Sequence, residues 1–382
     1  MNSLRDICDY VVTRTNIIEN YISTENMLPN KGGVCDTLKV PSGGIGTKYQ
    51  VGDILISNIR PYFKKIWQAD CEGACSTDVL CLRANENVDS RFLYYLLTQQ
   101  SFFDYVMSGT KGCKMPRGDK QQIMQWHIHL PSLVEQKKIA GVLSTLDAKI
   151  QLNRRINDNL EQQAQTLYKS WFVDFEPFKD GEFIESELGQ IPEGWQCIPF
   201  SMFVSESKAK TGKIGIKEYS VTNNGIFPRD AKYNKSLSQS STKNKLILYG
   251  DLVFGMSRDI LNWGVMQEEQ GGVSSAYTVY NINSGIVNST YLELFIKSRI
   301  HLFSDLIRPA AREGQGIDKS VLQTKVLLCP PQEVLDTFWP LYNSVTNQIQ
   351  TTTTEINCLG DVRDTLLPKL MSGELKINEI DC

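Results

Sequence analysis

Long apolar runs are the first thing this sequence lacks. No stretch of about eighteen uncharged apolar residues occurs anywhere in it, so no membrane-crossing helix is expected. The first twenty residues carry Arg5, Asp6, Asp9, Arg14 and Glu19, a pattern unlike a secretory signal, which sets a charged start before an apolar core. The expected location is cytoplasmic, with no membrane partner. Histidine is scarce: only His127, His129 and His301 are present. A metal or acid–base centre would have to be built from other side chains, and His127 and His129, alternating on an expected strand beside Trp126, read as structural. The ten cysteines are scattered, and their densest group, Cys71, Cys75 and Cys81, has no CxxC spacing, so reduced thiols are expected rather than disulfides or zinc. Catalytic strings are missing as well. No Asn/Asp-Pro-Pro-Tyr element for base methylation appears, and GGIGTK at 43–48 does not satisfy the phosphate-loop pattern. The expectation is a chain without catalysis, metal or cofactor of its own.

A strong charge of one sign is also lacking, since the net charge is −3. Its distribution is more informative. Residues 1–130 hold 14 basic against 13 acidic residues, 131–186 hold 7 against 9, 187–330 hold 16 against 13, and 331–382 hold 3 against 8. Within 205–245, Lys208, Lys210, Lys213, Lys217, Arg229, Lys232, Lys235, Lys243 and Lys245 face only Glu206, Glu218 and Asp230. Such a stripe is able to neutralise several phosphates, although a solvated loop has the same composition.

What is present is a repeat. Gly52-Asp53 followed by ILIS returns as Gly250-Asp251 followed by LVFG, and GACSTD at 73–78 returns as GGVSSA at 271–276. The run around Phe92-Leu93-Tyr94 returns around Tyr291-Leu292, and a glycine-containing basic loop at 109–118 returns near 308–317. Each copy closes with a long polar stretch of heptad spacing. In the first, the seam falls at Ile139, Leu143, Leu146, Ile150, Asn153, Asn157, Leu160, Ala164, Leu167 and Trp171. A shift of 199 gives the second seam: Phe338, Tyr342, Val345, Ile349, Thr352, Ile356, Leu359, Arg363, Leu366 and Leu370. Two helices in one register predict an antiparallel pair related by an approximate two-fold axis. Asn153 and Asn157 are then expected to meet Thr352 and Ile356, forming a polar layer that opposes slipped registers.

Strands are expected at Gly52–Ile59, Leu246–Gly255 and Ala276–Ile282, helices at Arg91–Met107 and Thr290–Ile307, and a linker at 177–195. The expected class is α+β: two homologous globular domains separated by two long antiparallel coiled-coil helices. The divisions are 1–130, a first helix at 131–178, linker and second domain at 179–330, and a second helix with its tail at 331–382.

Four strings, LPSLVEQKKIA at 130–140, LYKSWFVDFEPF at 167–178, LGQIPEGW at 188–195 and LLPKLMSGEL at 366–375, together with the duplicated layout, resemble the specificity subunits of Type I restriction-modification enzymes. The second helix departs from the first, reading CPPQEVLDTF at 329–338 without Glu-Gln-Lys-Lys and placing Arg363 in the seam. The resemblance implies two target recognition domains, each reading half of an interrupted asymmetric site in double-stranded DNA. It also implies two modification subunits that carry S-adenosylmethionine, and restriction subunits that use ATP and Mg.

Reading bases takes Arg or Lys for guanine and Asn or Gln for adenine, supported by phosphate contacts. The candidates in the first domain are Arg60, Lys64, Lys65, Lys111, Lys114 and Arg117. In the second they are Lys208, Lys210, Lys213, Arg229, Arg258, Arg312 and Gln315. The competing readings are a structural coiled-coil adaptor with protein-binding ends, and a single chain that both reads and cuts DNA, for which the repeat leaves no room.

Overall fold

A glycine in the left-handed region precedes a buried aspartate twice in this chain, and the two turns organise the fold. In the computed structural model, described for residues 2–16, 19–35, 45–110, 115–213, 215–229, 241–257, 260–307 and 317–377, Gly52 has φ 91° and Gly250 has φ 83°. That conformation is open to glycine at little cost. The amide of Gly52 donates to Ala69 O (2.8 Å) and that of Ala69 donates back to Asp53 O (2.8 Å); Gly250 and Met266 repeat the exchange at 2.8 and 2.9 Å.

The chain divides into two compact units. Unit 1 comprises Met1–Asn159 and Gln348–Cys382, and unit 2 comprises Leu160–Asn347. In unit 1 a four-stranded antiparallel sheet runs Cys8–Tyr10, Val79–Ala84, Ile54–Ser57, Ile66–Gln68 in spatial order. In unit 2 the order is Val204–Ser207, Thr278–Ile282, Leu252–Ser257, Ile260–Val265. These are the same topology written twice, with equivalent strands about 198 residues apart. Helix Ser90–Leu97, N-capped by Asp89, follows the first sheet, and helix Ser289–Ser298, N-capped by Asn288, follows the second. The short helices at Lys120–Ile123 and Lys319–Thr324 are capped by Asp119 and Asp318. Each cap satisfies amides that the first turn of a helix leaves unpaired. The class is α+β, with every strand ladder antiparallel.

Several expected elements are broken in the structure. The helix expected over Arg91–Met107 ends at Leu97 and resumes at Gln100–Ser108, because the Thr98 hydroxyl turns back onto Tyr95 O (2.7 Å) and Gln99 is extended. The helix expected over Thr290–Ile307 becomes a 3-10 stretch at Ile300–Leu306. The strand expected over Leu246–Gly255 is two strands, Lys245–Leu248 and Leu252–Ser257, divided at Gly250. The expected linker at 177–195 contains a hairpin, Phe183–Ser186 with Gly189–Pro192. It is folded because Trp195, 4% exposed, packs edge-on against Phe175 and Phe178, with centroids 5.4 and 5.3 Å apart.

Both long helices form. The first spans Leu133–Phe172 and the second Gln332–Ser372. Within unit 1 they run antiparallel: Asp147 meets Arg363 at 2.7 Å, Asn153 meets Glu355 at 2.9 Å, and Asn157 meets Thr353 at 2.9 Å. Residue numbers rise on one helix as they fall on the other. In unit 2, Phe172 packs edge-on to Phe338, with centroids 4.6 Å apart. The seam positions Ile139, Leu143, Ile150, Asn153, Leu160, Ala164, Phe338, Thr352 and Leu370 are buried, and Leu146, Asn157, Leu167, Trp171, Tyr342, Val345, Ile349, Ile356, Leu359, Arg363 and Leu366 are half-buried. The two asparagines donate to Glu355 Oε2 and Thr353 Oγ1, which flank the seam, and not to the expected layer of Thr352 and Ile356. A carboxamide reaches past the apolar row to side chains able to accept, while Thr352 spends its hydroxyl proton on Gln348 O (2.8 Å).

No helix among the described residues is long and apolar enough to cross a membrane.

Candidate nucleic-acid interface

The first candidate surface is the loop joining Ile54–Ser57 to Ile66–Gln68. Pro61 fixes its own φ and pushes the preceding residue out of the right-handed helical region. Arg60 nevertheless does not take the extended backbone usual before proline: it sits at φ 51°, ψ 61°, and Lys64 at φ 51°, ψ 45°, on either side of the 3-10 turn Pro61–Phe63. Left-handed backbone at two non-glycine residues costs about 1–3 kcal/mol each, so something must hold it. The amide of Arg60 donates to Pro116 O (2.9 Å), and the amides of Asn30 and Lys31 donate to Phe63 O (2.8 Å) and Lys64 O (2.9 Å). Asn30 and Lys31 are themselves left-handed, at φ 54° and 62°. A bridge between Ile59 and Arg117 ties in the 115–118 segment.

Arg60 and Arg117 are exposed and Lys64 is half-buried. Arg117 is paired with Asp78 at 3.2 Å. Lys65 is engaged within the fold: its ammonium donates to Thr24 O (2.6 Å), lies 5.9 Å from the Phe63 ring centroid, and burial lowers its pKa. Lys111 and Lys114 lie outside the described residues.

In unit 2, Lys208, Lys210 and Lys213 are exposed around a Lys210–Lys245 bridge. This chain segment is fastened to the sheet, because Thr211 donates to Asn244 O (3.0 Å) and Leu246 to Ala209 O (3.0 Å). Arg229 is half-buried and donates to Ser220 Oγ (2.9 Å). Lys245 is held by Tyr277 O (2.6 Å), and burial lowers its pKa. Nearby Lys217 pairs with Glu268 at 3.3 Å and lies over the Tyr219 ring at 5.4 Å. Arg258, Arg312 and Gln315 lie outside the described residues. The structure therefore gathers Arg60, Lys64 and Arg117 at one loop of unit 1, and Lys208, Lys210 and Lys213 at one segment of unit 2.

Tyr62 and Phe63 are not among the candidates drawn from the sequence, although they are 46% and 39% exposed with centroids 4.6 Å apart. The signal available was the SNIRPYF string, where proline fixes the turn that presents them. Among the described residues no group of three or more His, Cys, Asp or Glu side chains is placed to hold a metal ion.

Residues 8–162 match a family model described as the Type I restriction modification DNA specificity domain. The MjaIX specificity subunit of a type I restriction enzyme from Methanocaldococcus jannaschii is 28% identical over 311 residues, covering 77% of this chain and 71% of that protein. The HindI specificity subunit from Haemophilus influenzae is 32% identical over 167 residues, covering 42% of this chain and 36% of that protein. This chain is similar to the specificity subunits of type I restriction enzymes. A chain solved in a study of complex assembly and conformational transition of the type I R-M system shares the fold, with a TM-score of 0.51 at 16% identity over 98% of this chain and 97% of that one.

The strings that carry this specificity-subunit resemblance have plain structural work. Ser132 and Glu135 form a capping box: the Ser132 amide donates to Glu135 Oε2 (3.0 Å) and the Glu135 amide donates to Ser132 Oγ (3.4 Å). At the far end of that helix Phe175 turns left-handed at φ 55°. Gly373, at φ 76°, ends the second helix, with Leu375 N donating to Lys369 O (3.1 Å). Three of the four strings thus lie at the start and end of the first long helix and at the end of the second, while LGQIPEGW lies in the hairpin that follows the first.

Proposed function

We propose that this specificity subunit reads an interrupted, asymmetric site in double-stranded DNA, one half by residues 1–130 and the other by 179–330, with the helices of 131–178 and 331–382 as spacers. It has no catalysis, metal or cofactor of its own. It directs two modification subunits, which bring S-adenosylmethionine, and restriction subunits, which bring ATP and Mg, in the cytoplasm. The observation that carries this reading is the sheet written twice with the same Gly-Asp turn, each copy bearing surface cations: exposed Arg60 and Arg117 with half-buried Lys64 in one unit, exposed Lys208, Lys210 and Lys213 in the other. One chain then offers two related but non-identical surfaces, which suits a target of two unlike halves. The unplaced candidates Lys111, Lys114, Arg258, Arg312 and Gln315 belong to the same proposal.

The test is footprinting and methylation mapping of the subunit reconstituted with its modification partners. Replacing residues 1–130 by the first domain of another specificity subunit is expected to change one half of the methylated sequence and leave the other intact. Change in both halves refutes independent reading. Substituting Lys208, Lys210 and Lys213 together by Ala is expected to reduce the slope of log affinity against log salt by about two to three, as for three lost phosphate contacts.

A further inference from the structure

We infer that Tyr62 and Phe63 form an aromatic wedge that enters the duplex at a base step of the first half-site and unstacks it. This rests on the DNA-reading function proposed above and goes beyond it, since it assigns to two non-ionic side chains an action on the shape of the DNA.

Three observations point the same way. The two rings stand in contact, 4.6 Å apart, and remain 46% and 39% exposed in a unit that buries Phe92, Phe102 and Phe103 almost completely. They are not on a slack loop: left-handed Arg60 and Lys64 bracket them, and three amide bonds from Arg60, Asn30 and Lys31 fix the backbone on both sides. A wedge has to be rigid to displace a base rather than fold away. Finally, the rim of the patch is cationic. Arg60 precedes the rings in sequence, Lys64 follows them, and Arg117 is brought alongside by the Ile59 bridge. An apolar patch of two rings ringed by cations complements stacked bases between phosphates, and proteins that kink DNA insert apolar side chains of this kind between base steps. An acidic protein surface would meet the rim equally well but leave the rings without a slot, so duplex DNA is the occupant assigned.

The unit 2 counterpart differs. Its ladder continues as far as Ser257–Ile260, where the unit 1 ladder stops at Ile56–Ile66, so the wedge is assigned to the first half-site alone.

The experiment uses the full chain reconstituted with its modification subunits, and a duplex of its mapped target in which 2-aminopurine replaces single bases in turn. Unstacking is read as a several-fold rise in 2-aminopurine fluorescence. Each modification subunit is expected to brighten the base it flips out for methylation, one in each half-site; the wedge adds a rise at one further step of the first half-site, with no counterpart in the second. Tyr62→Ala with Phe63→Ala abolishes that rise and weakens binding about tenfold, while Phe63→Leu, which keeps an apolar wedge, retains much of it. Amide hydrogen exchange in the Ile54–Gln68 region confirms that the variants keep the loop backbone. Protection of the first half-site with no rise beyond the flipped target base overturns the wedge and leaves DNA reading standing. Absence of protection by the complex overturns both. If the double variant instead loses its modification subunits while wild-type DNA stays stacked, the patch covers protein and the wedge is refuted.

Discussion

The two Gly-Asp turns solve one problem with different chemistry. In unit 1, Asp53 accepts the Gln50 amide at 2.9 Å and a forked pair of bonds from Arg83, both at 2.7 Å. In unit 2, Asp251 accepts the Leu248 amide at 2.8 Å and the Asn281 carboxamide at 2.8 Å. The carboxylates are 1% and 5% exposed, and the partners occupy equivalent strand positions. The backbone bond is what the turn requires, and it persists in both copies. The second partner is free to vary as long as it donates. One copy compensates a buried charge with a charge whose far side reaches solvent, and the other with a neutral dipole.

The comparison is sharpened most by the equivalent seam positions Phe338 and Ile139, which are 0% and 5% exposed. Phe338→Ala removes a ring touching Trp171, Phe172 and Tyr342 and is expected to cost about 3–5 kcal/mol; Ile139→Ala is expected to cost about 2–4 kcal/mol. Hydrogen exchange read separately in each unit gives the two values, and equal losses would mean that the aromatic cluster of unit 2 adds nothing beyond volume.

A smaller effect breaks the turn comparison directly. Arg83→Ala leaves a buried carboxylate with the Gln50 amide and the weak Cys81 thiol donor and is expected to destabilise unit 1 by about 2–3 kcal/mol. Asn281→Ala removes one neutral donor from unit 2, for about 1 kcal/mol. Denaturant midpoints for both variants, and for Arg83→Asn as the cross-over, check this. If Arg83→Ala were the milder change, the ion pair would be ornamental.

The smallest effect is in pH. Burial raises the Asp251 pKa above its ordinary value of 3.8, against the opposing bonds from Leu248 and Asn281. Since the folded-state value lies above the unfolded one, the protonated form is favoured by folding. That stabilisation is complete below about 3.8 and is lost as pH rises through the folded value. Relative to Asp251→Asn, wild-type unit 2 is therefore expected to lose a little stability across that window, a comparison that separates this carboxyl from Glu206 and Glu268, whose lowered pKa values act with the opposite sign. A difference that shifts in favour of wild type as pH rises through the window would contradict the sign.

Much of this was legible in the sequence, for definite reasons. Glycine at 52 and 250 is a backbone requirement, so the turn survives duplication in readable form. Heptad spacing predicted two helices because burial on a helix repeats with the same period as the side chains. The break at Thr98 was not legible, because a threonine hydroxyl turning back on its own helix leaves the apolar period of Arg91–Met107 intact. Nor were the partners of Asn153 and Asn157: the seam rule places residues in rows, while a hydrogen bond goes to whichever neighbouring side chain can accept it, here Glu355 and Thr353. At the candidate interface, charge put forward Arg60 and Lys64. It also put forward Lys65, whose carbonyl partner Thr24 stands 41 residues away in sequence, a distance at which no local pattern speaks.

Unit 2 is one continuous stretch of chain, Leu160–Asn347, whereas unit 1 is assembled from Met1–Asn159 and Gln348–Cys382. Leu367, Leu370 and Met371, from the late segment, belong to the same core as Ile139, Leu143 and Phe92. On a ribosome, then, the half of the molecule that is made first is finished last. At about 5–20 residues per second, roughly ten to forty seconds of synthesis separate residue 159 from residue 371. Throughout that interval one flank of Ile139 and Leu143 has no covering helix, and the nascent chain has to be kept from aggregation while the second unit, whose residues arrive without interruption, closes ahead of it.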